Sequence, residues 1–211
     1  MHAADGGRWV ASLGVTVDSR LEHIKFRLAS IRFNPVRGLL NRTLPKILLP
    51  HGSDSHRYKL NEPLSESEVV AFERKHNIRL PEEYRQFLLK LGNGGAGPNH
   101  GILPLEQWND ALLMEIDNPR VASPKFGILE SECPLKHDIK YGENWLEELG
   151  EVEYGAYQGT ISVSHQGCSY FSLLVITGKS RGRIVNIDMD YQPPYFDPHP
   201  DFLSWYEDWL K

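Results

Sequence analysis

Cysteine is scarce in this sequence, and long hydrophobic runs are missing. The chain of 211 residues has two cysteines, Cys133 and Cys168, too few for a disulfide framework or a four-cysteine zinc site. No stretch approaches the roughly 18 consecutive apolar residues of a membrane-spanning helix, and the first residues lack the basic flank and apolar run of a signal peptide. We therefore expect a cytoplasmic protein with two buried free thiols.

Positive charge is deficient in most of the chain. Residues 1–60 contain ten Lys/Arg and four Asp/Glu, whereas residues 61–211 contain thirteen Lys/Arg and twenty-four Asp/Glu, a net charge of −11 against −5 for the whole chain. Binding to nucleic acid requires clustered cations to neutralise phosphates, so the larger part is not expected to bind nucleic acid directly. Its acidic balance favours a basic protein partner.

The basic N-terminal part contains one amphipathic helix. The segment SRLEHIKFRLASIRF places Leu21, Ile24 and Leu28 at helical spacing, and Ser19 with Glu22 fits a capping box. This helix either touches an anionic surface such as lipid headgroups, or packs its apolar side on the acidic domain with its charges in solvent. A segment rich in proline and glycine follows, so we treat residues 1–61 as an extension of a domain covering 62–211.

The domain opens with two consecutive helices. Ser65 and Glu68 form a capping box for the first helix, and Asn77 offers a left-handed exit from it. Pro81 suits the first residue of the second helix, and Gly92 ends it.

The C-terminal half changes to a period of two residues. The segment TISVSHQGCSYFSLLVITGKSRGRIVNIDM predicts three antiparallel strands joined by turns. A further helix is predicted from Asn109, the proline-rich segment YQPPYFDPHP is expected to lack regular structure, and Asp201 caps a final helix. The order of elements predicts an α+β fold with a central, mostly antiparallel sheet flanked by helices.

Two segments resemble the SUKH superfamily, in particular its branch similar to the Smi/Knr cell-wall regulators. The first is PLSESEVVAFERKHNIRLPEEYRQFLLKLGNGG, and the second is GTISVSHQGCSYFSLLVITGKSRGRIVNID, followed by FLSWYEDWL. The resemblance implies an α+β domain without a catalytic centre that acts by binding other proteins. One position departs from the pattern, because Ser169 stands where the family often has a further glycine.

The matched positions imply structural rather than chemical roles. Many bacterial relatives are immunity proteins that block a cognate toxin domain, whereas fungal relatives regulate cell-wall synthesis. The positions that the resemblance assigns to the scaffold are Leu80, Pro81, Tyr84, Phe87, Gly92, Gly167, Trp205 and Trp209.

The sequence offers few combinations for catalysis or metal binding. None of the nine histidines has the spacing and glutamate of a hydrolytic zinc site, and Cys168 and His165 would lie on opposite faces of a strand. Asp188 and Asp190, with Asp197 or Asp201, could bind a divalent cation, but such a pair is more commonly a solvated strand end. We therefore predict no enzyme, no metal and no cofactor.

The leading hypothesis is an immunity protein that presents an acidic, partly aromatic surface to a basic, nuclease-type toxin. One alternative is a regulator or scaffold of cell-wall or envelope synthesis, with weak membrane contact by the N-terminal helix. Another is a small-molecule binder or enzyme that uses a pocket beside the Gly167 turn. The candidate partner contacts are Glu143, Trp145, Glu147, Glu148, Asp188, Asp190, Tyr191 and Tyr195.

Overall fold

The computed structural model describes residues 16–33, 53–109, 127–150, 153–190 and 192–211. Most of the helix predicted from Asn109 and the candidate Tyr191 lie outside these residues. The elements are helices α1 (Val17–Arg32), α2 (Ser53–His56), α3 (Glu66–Lys75), α4 (Glu82–Lys90), α5 (Trp145–Leu149) and α6 (Phe202–Trp209), short 3-10 helices at Leu105–Gln107 and Glu153–Tyr157, and strands β1 (Thr160–Gly167), β2 (Tyr170–Val175), β3 (Ile184–Asp188) and β4 (Tyr195–Phe196).

The strands form one antiparallel sheet in the order β1-β2-β3-β4. The predicted α+β class and the three-strand meander are therefore confirmed. The expectation of no regular structure in the proline-rich segment is wrong, because β4 lies within it and pairs Tyr195 with Asn186. The prolines limit this strand to two residues, which is typical of an edge strand.

The turn between β1 and β2 requires left-handed backbone at two consecutive residues. Gly167 has a φ of 106° and Cys168 a φ of 49°, in the region that glycine adopts readily. The turn projects Cys168 into solvent, whereas Cys133 is buried. The prediction of two buried thiols is thus right for Cys133 and wrong for Cys168, which lies in the turn and not in a packed strand.

Helices cover the two faces of the sheet unequally. One face carries Ile161, Leu174 and Ile184, which belong to the larger core with the buried residues of α1, α3, α4 and α6. The other face carries Phe171 and Val185, which belong to a second core with residues 133–157. The large helical layer therefore lies on one side and the short helix α5 on the other.

The helix boundaries in the domain follow the local signals in the sequence. Ser65 and Glu68 form both hydrogen bonds of a capping box at the start of α3, and Asn77 has a φ of 50° just after its end. Pro81 lies one residue earlier than predicted, as the residue before α4. An alanine Cβ at Gly92 would lie 2.5 Å from the carbonyl oxygen of Asn61, so the chain can pass there only without a side chain.

Helix α1 is fixed to the domain through its apolar side and through ion pairs. Leu21, Ile24 and Leu28 are buried, so the apolar side on which a membrane contact would depend already has a protein partner. Arg20 bonds to Asp201 at 3.1 Å and to Glu207 at 2.8 Å. The predicted capping box at Ser19 is wrong because the helix begins earlier, with Thr16 as its N-cap.

Asp201 joins two of these interactions, and its removal should be measurable. Its carboxylate accepts the Ser204 N–H at 2.8 Å as the N-cap of α6 and also pairs with Arg20. We expect Asp201→Ala to lower the free energy of unfolding by about 1–3 kcal/mol. Asp201→Asn should cost less, because asparagine caps a helix equally well but carries no charge. Urea unfolding at neutral pH measures both.

The pH dependence of the free energy of unfolding distinguishes the contribution of the Asp201 charge from that of its N-cap hydrogen bond. Burial opposes ionisation of Asp201, but its hydrogen bonds with Arg20 and Ser204 outweigh burial and lower its pKa. The contribution of this charge is therefore complete above the ordinary aspartate pKa of about 3.9 and is lost as the pH falls through the lower folded value. An Asp201→Ala deficit that stays constant down to pH 2 would contradict this assignment.

Candidate protein-binding surface

The predicted contact residues do not form one surface. Glu143, Glu147 and Glu148 are exposed at helix α5, on the side of the sheet that packs the smaller core. Asp190 and Tyr195 are exposed at the far ends of β3 and β4. The acidic residues therefore form two separate groups, and Tyr191 lies outside the described residues.

Trp145 is a core residue and not a surface contact. Its exposed fraction is 1%, and its ring stacks on Tyr157 at a centroid distance of 6.1 Å. Its carboxylate neighbours suggested an aromatic anchor in an acidic interface, but they point to solvent while the indole packs inward. The prediction that Trp145 contacts a partner is corrected by this burial.

Two exposed tyrosines lie at the end of the sheet nearest the β1–β2 turn. The exposed fractions of Tyr170 and Tyr195 are 45% and 60%. Tyr170 is paired with Asp188, and Tyr195 with Asn186, so all four lie on the sheet face that also carries Ile184. The sequence analysis identified Tyr195 and missed Tyr170.

A buried polar network lies next to these tyrosines on the same face of the sheet. Ser172 is 1% exposed and Asn186 is 7% exposed. The Gln166 Nε2 amide donates to Ser172 Oγ at 2.9 Å and to Asn186 Oδ1 at 2.6 Å, and Ser172 Oγ donates to Asn186 Oδ1 at 2.9 Å. These three hydrogen bonds link β1, β2 and β3 and hold this part of the sheet in one arrangement.

Asp188 organises the acidic part of this surface. The carboxylate is buried and accepts hydrogen bonds from Ser169 Oγ at 2.5 Å and from the backbone N–H of Asp190 at 3.0 Å. Burial opposes its ionisation, but these bonds and one from the Tyr170 hydroxyl outweigh burial and lower the pKa of Asp188. The same hydrogen bond raises the pKa of Tyr170. Asp188 is thus an ionised group that positions its neighbours.

Ser169 stands where the family often has a glycine, and its hydroxyl forms hydrogen bonds in this surface. Besides Asp188, its hydroxyl reaches Asp190 Oδ2 at 3.3 Å, which joins the turn to the end of β3. A glycine at this position would lack both bonds. The hydroxyl therefore links the turn to the two aspartates.

Together these residues define a candidate interface, which we call the tyrosine–aspartate surface: Tyr170, Asp190 and Tyr195 are exposed, and the buried Asp188 and half-buried Gln166 position them. Among the described residues, neither aspartate forms an ion pair with a lysine or arginine. Tyrosine rings beside carboxylates suit an arginine or lysine from a partner, through ring stacking and charge-assisted hydrogen bonds.

His165 and Cys168 do not face each other as a catalytic pair would. The Nε2 atom of His165 bonds to the backbone oxygen of Cys168 at 2.9 Å, so this ring nitrogen faces a carbonyl and not the thiol. No three His, Cys, Asp or Glu side chains of the described ranges are grouped to hold a metal ion. Within the same ranges, no helix is both long and apolar enough to cross a membrane.

The positions assigned to the scaffold lie in the core or at turns. The centroid of the Phe202 ring in α6 lies 4.8 Å from that of Tyr84 and 5.2 Å from that of Phe87. Leu80 and Trp205 are also buried, Trp209 stacks on Tyr58 at 5.7 Å, and Pro81, Gly92 and Gly167 occupy the junctions described above. These residues build the larger core and the turns around it.

At one end of this helix-flanked antiparallel sheet, exposed tyrosines lie beside carboxylates, and tyrosine is enriched at protein–protein interfaces. The family comparison identifies this domain: the model of the SMI1/KNR4 family (SUKH-1) matches residues 63–208, and the chain belongs to that family. Membership is consistent with a non-catalytic domain of the immunity or regulatory type. Neither the curated proteins nor the solved structures compared with the chain gave a match.

Proposed function

We propose that the protein is a cytoplasmic immunity protein that binds a basic, nuclease-type toxin of a bacterial polymorphic toxin system and blocks its nucleic-acid site. The observation that carries the proposal is the tyrosine–aspartate surface, where exposed Tyr170 and Tyr195 flank aspartates that have no cation partner among the described residues. Family membership supports a binding role without naming the partner.

Charge explains why such a surface suits a nuclease. A nuclease must carry cations to hold phosphates, so its substrate site is the most basic part of its surface. An inhibitor with a net charge of −11 after residue 60 is attracted to that site from a distance. The tyrosines then supply rigid, amphipathic contact area of the kind found at interface hot spots.

The second acidic group, at α5, is the weaker candidate. Glu143, Glu147 and Glu148 provide charge, but the aromatic residue between them, Trp145, is buried. Exposed carboxylates without an anchor mainly affect the association rate and contribute little to the lifetime of a complex. We assign this group to steering and the tyrosine–aspartate surface to contact.

The proposal predicts a single basic partner whose association depends strongly on salt. Tagged full-length protein is used to capture proteins from a lysate of the native host, and mass spectrometry identifies them. The captured partner should be a near-stoichiometric basic toxin domain whose nuclease activity the protein inhibits. Because steering acts over about 8–10 Å at physiological ionic strength, the association rate should fall about tenfold or more as salt rises to about 1 M.

Two results would contradict the immunity proposal. Recovery of envelope-synthesis proteins instead of a toxin would favour the regulator or scaffold. An association rate that does not change with ionic strength would remove the electrostatic basis for a basic partner. The triple variant Glu143→Gln, Glu147→Gln and Glu148→Gln tests steering by α5, because it should slow association with little effect on dissociation.

A further inference from the structure

A groove lies between helix α1 and residues 58–63, and we call residues 58–63 the strap. The groove shares no lining residue with the tyrosine–aspartate surface. The groove encloses about 310 Å³, close to the lower end for ligand pockets. Leu28, Leu60 and Leu91 form its apolar floor, and Phe33, with an exposed fraction of 73%, stands at its edge. The groove thus offers apolar surface to a side chain from outside.

The rim of this groove is basic in an otherwise acidic protein. Lys25, Arg32 and Lys59 line it and are exposed, against one carboxylate, Glu62. None of the three cations forms an ion pair within the described part of the chain. Arg20 and Lys90 nearby do, with carboxylates of the protein itself. The rim of the groove therefore carries more cations than carboxylates.

One backbone edge of the strap has no backbone partner among the described residues. Leu60 forms an isolated antiparallel bridge with Gly95, held by Asn61 N–H to the Gly94 oxygen at 3.0 Å and by Ala96 N–H to the Lys59 oxygen at 2.8 Å. These bonds use the neighbours of Leu60, so the N–H and C=O of Leu60 turn to the opposite edge. Neither group has a backbone partner among the described residues. Such an edge can pair with an added strand.

We propose that this groove binds an extended acidic peptide segment of a partner protein. Carboxylates of the segment pair with Lys25, Arg32 and Lys59, an apolar side chain packs on Leu28 beside Phe33, and the peptide backbone pairs with Leu60. A recessed apolar floor and a free strand edge recognise a peptide, whereas a flat lipid surface would reach neither. The inference does not depend on the immunity function.

Fluorescence anisotropy with full-length protein tests the proposal. The probe is a fluorescein-labelled peptide, Asp-Glu-Leu-Asp-Phe-Glu-Asp, and its control has Asn and Gln in place of Asp and Glu. We expect saturable binding of the acidic peptide and at least about tenfold weaker binding of the amide peptide. Titration followed by ¹⁵N NMR should shift the amide signals of Leu60 and Phe33.

Charge-reversal variants locate the site. Lys25→Glu, Arg32→Glu and Lys59→Glu together should weaken binding about a hundredfold. The matched control combines Lys75→Glu, Lys136→Glu and Lys140→Glu, which are exposed, lie outside the groove and change the net charge equally. This control should bind within about threefold of the natural protein. Melting temperatures confirm that both variants are folded.

Three outcomes would overturn the proposal. They are the absence of saturable peptide binding, an equal loss of affinity in both charge-reversal variants, and NMR shifts confined to residues outside the groove. Vesicles of phosphatidylserine and phosphatidylcholine provide the remaining comparison. Groove-dependent binding to these vesicles without binding of the peptide would assign the cations to an anionic lipid surface instead.

Discussion

Replacing Trp145 by alanine should lower the free energy of unfolding by about 3–5 kcal/mol, the usual cost of removing a large buried aromatic side chain. The indole is 1% exposed and packs in the smaller core, where it stacks on Tyr157 and contacts Tyr141 edge-on. Helix α5 has only five residues, so it depends on this side chain for its position. A loss of this size is a large fraction of the stability of an ordinary domain.

Urea unfolding followed by far-ultraviolet circular dichroism measures this loss. Trp145→Phe is the matched comparison, because it keeps an aromatic ring in the core and should cost clearly less. Binding to the captured partner, measured where the alanine variant remains folded, should be nearly unchanged. A Trp145→Ala protein with normal stability and impaired binding would instead return Trp145 to the interface.

The helices of the domain could be predicted because their signals are local. A capping box needs only Ser65 and Glu68 at the right spacing, and the left-handed exit needs only an asparagine at 77. The same reasoning failed at Ser19, because Thr16, three residues earlier, offers a competing cap and its hydroxyl accepts the Ser19 N–H. The exposed ion pair between Asp18 and Lys90 at 2.6 Å contributes too little to decide this boundary.

The error at Trp145 has a different physical origin. A helix of five residues is too short to show a periodic pattern, so its acidic composition is the only local signal available. That composition describes the exposed side of α5 and gives no information on which residue points inward. Burial is decided by residues distant in sequence, in this case the Phe171 face of the sheet.

Two of the five residues of the tyrosine–aspartate surface, Gln166 and Tyr170, were missed because their placement depends on strand register. Tyr170 lies opposite Asp188 because of the register between β2 and β3, which the turn between these two strands sets. β1 also contains two irregularities in its pairing, which shift which residues face each side. Alternation within one strand shows that Tyr170 and Ser172 share a face, but not which residue lies across from them.

The strand register places Tyr170 and Tyr195 on one face of the sheet, and this arrangement leads to a prediction about partner binding. Tyr170→Ala combined with Tyr195→Ala should weaken the captured complex about 100- to 1,000-fold, because truncation of one interface tyrosine often costs about 2 kcal/mol. The loss should come mainly from faster dissociation, since the charge that guides association remains. Surface plasmon resonance gives both rates. Stability should change little, because both rings are already largely exposed in the free protein.

Two control variants accompany this experiment. One tests whether the loss of any exposed apolar side chain weakens binding, and the other tests the tyrosine hydroxyl alone. Phe26→Ala with Ile139→Ala removes equally exposed apolar side chains elsewhere and should leave the affinity within about twofold. Tyr170→Phe keeps the ring but breaks the hydrogen bond to Asp188, so it measures the hydroxyl alone. If the double tyrosine variant binds normally while the triple glutamine variant at α5 loses the complex, the interface lies on the other face of the sheet.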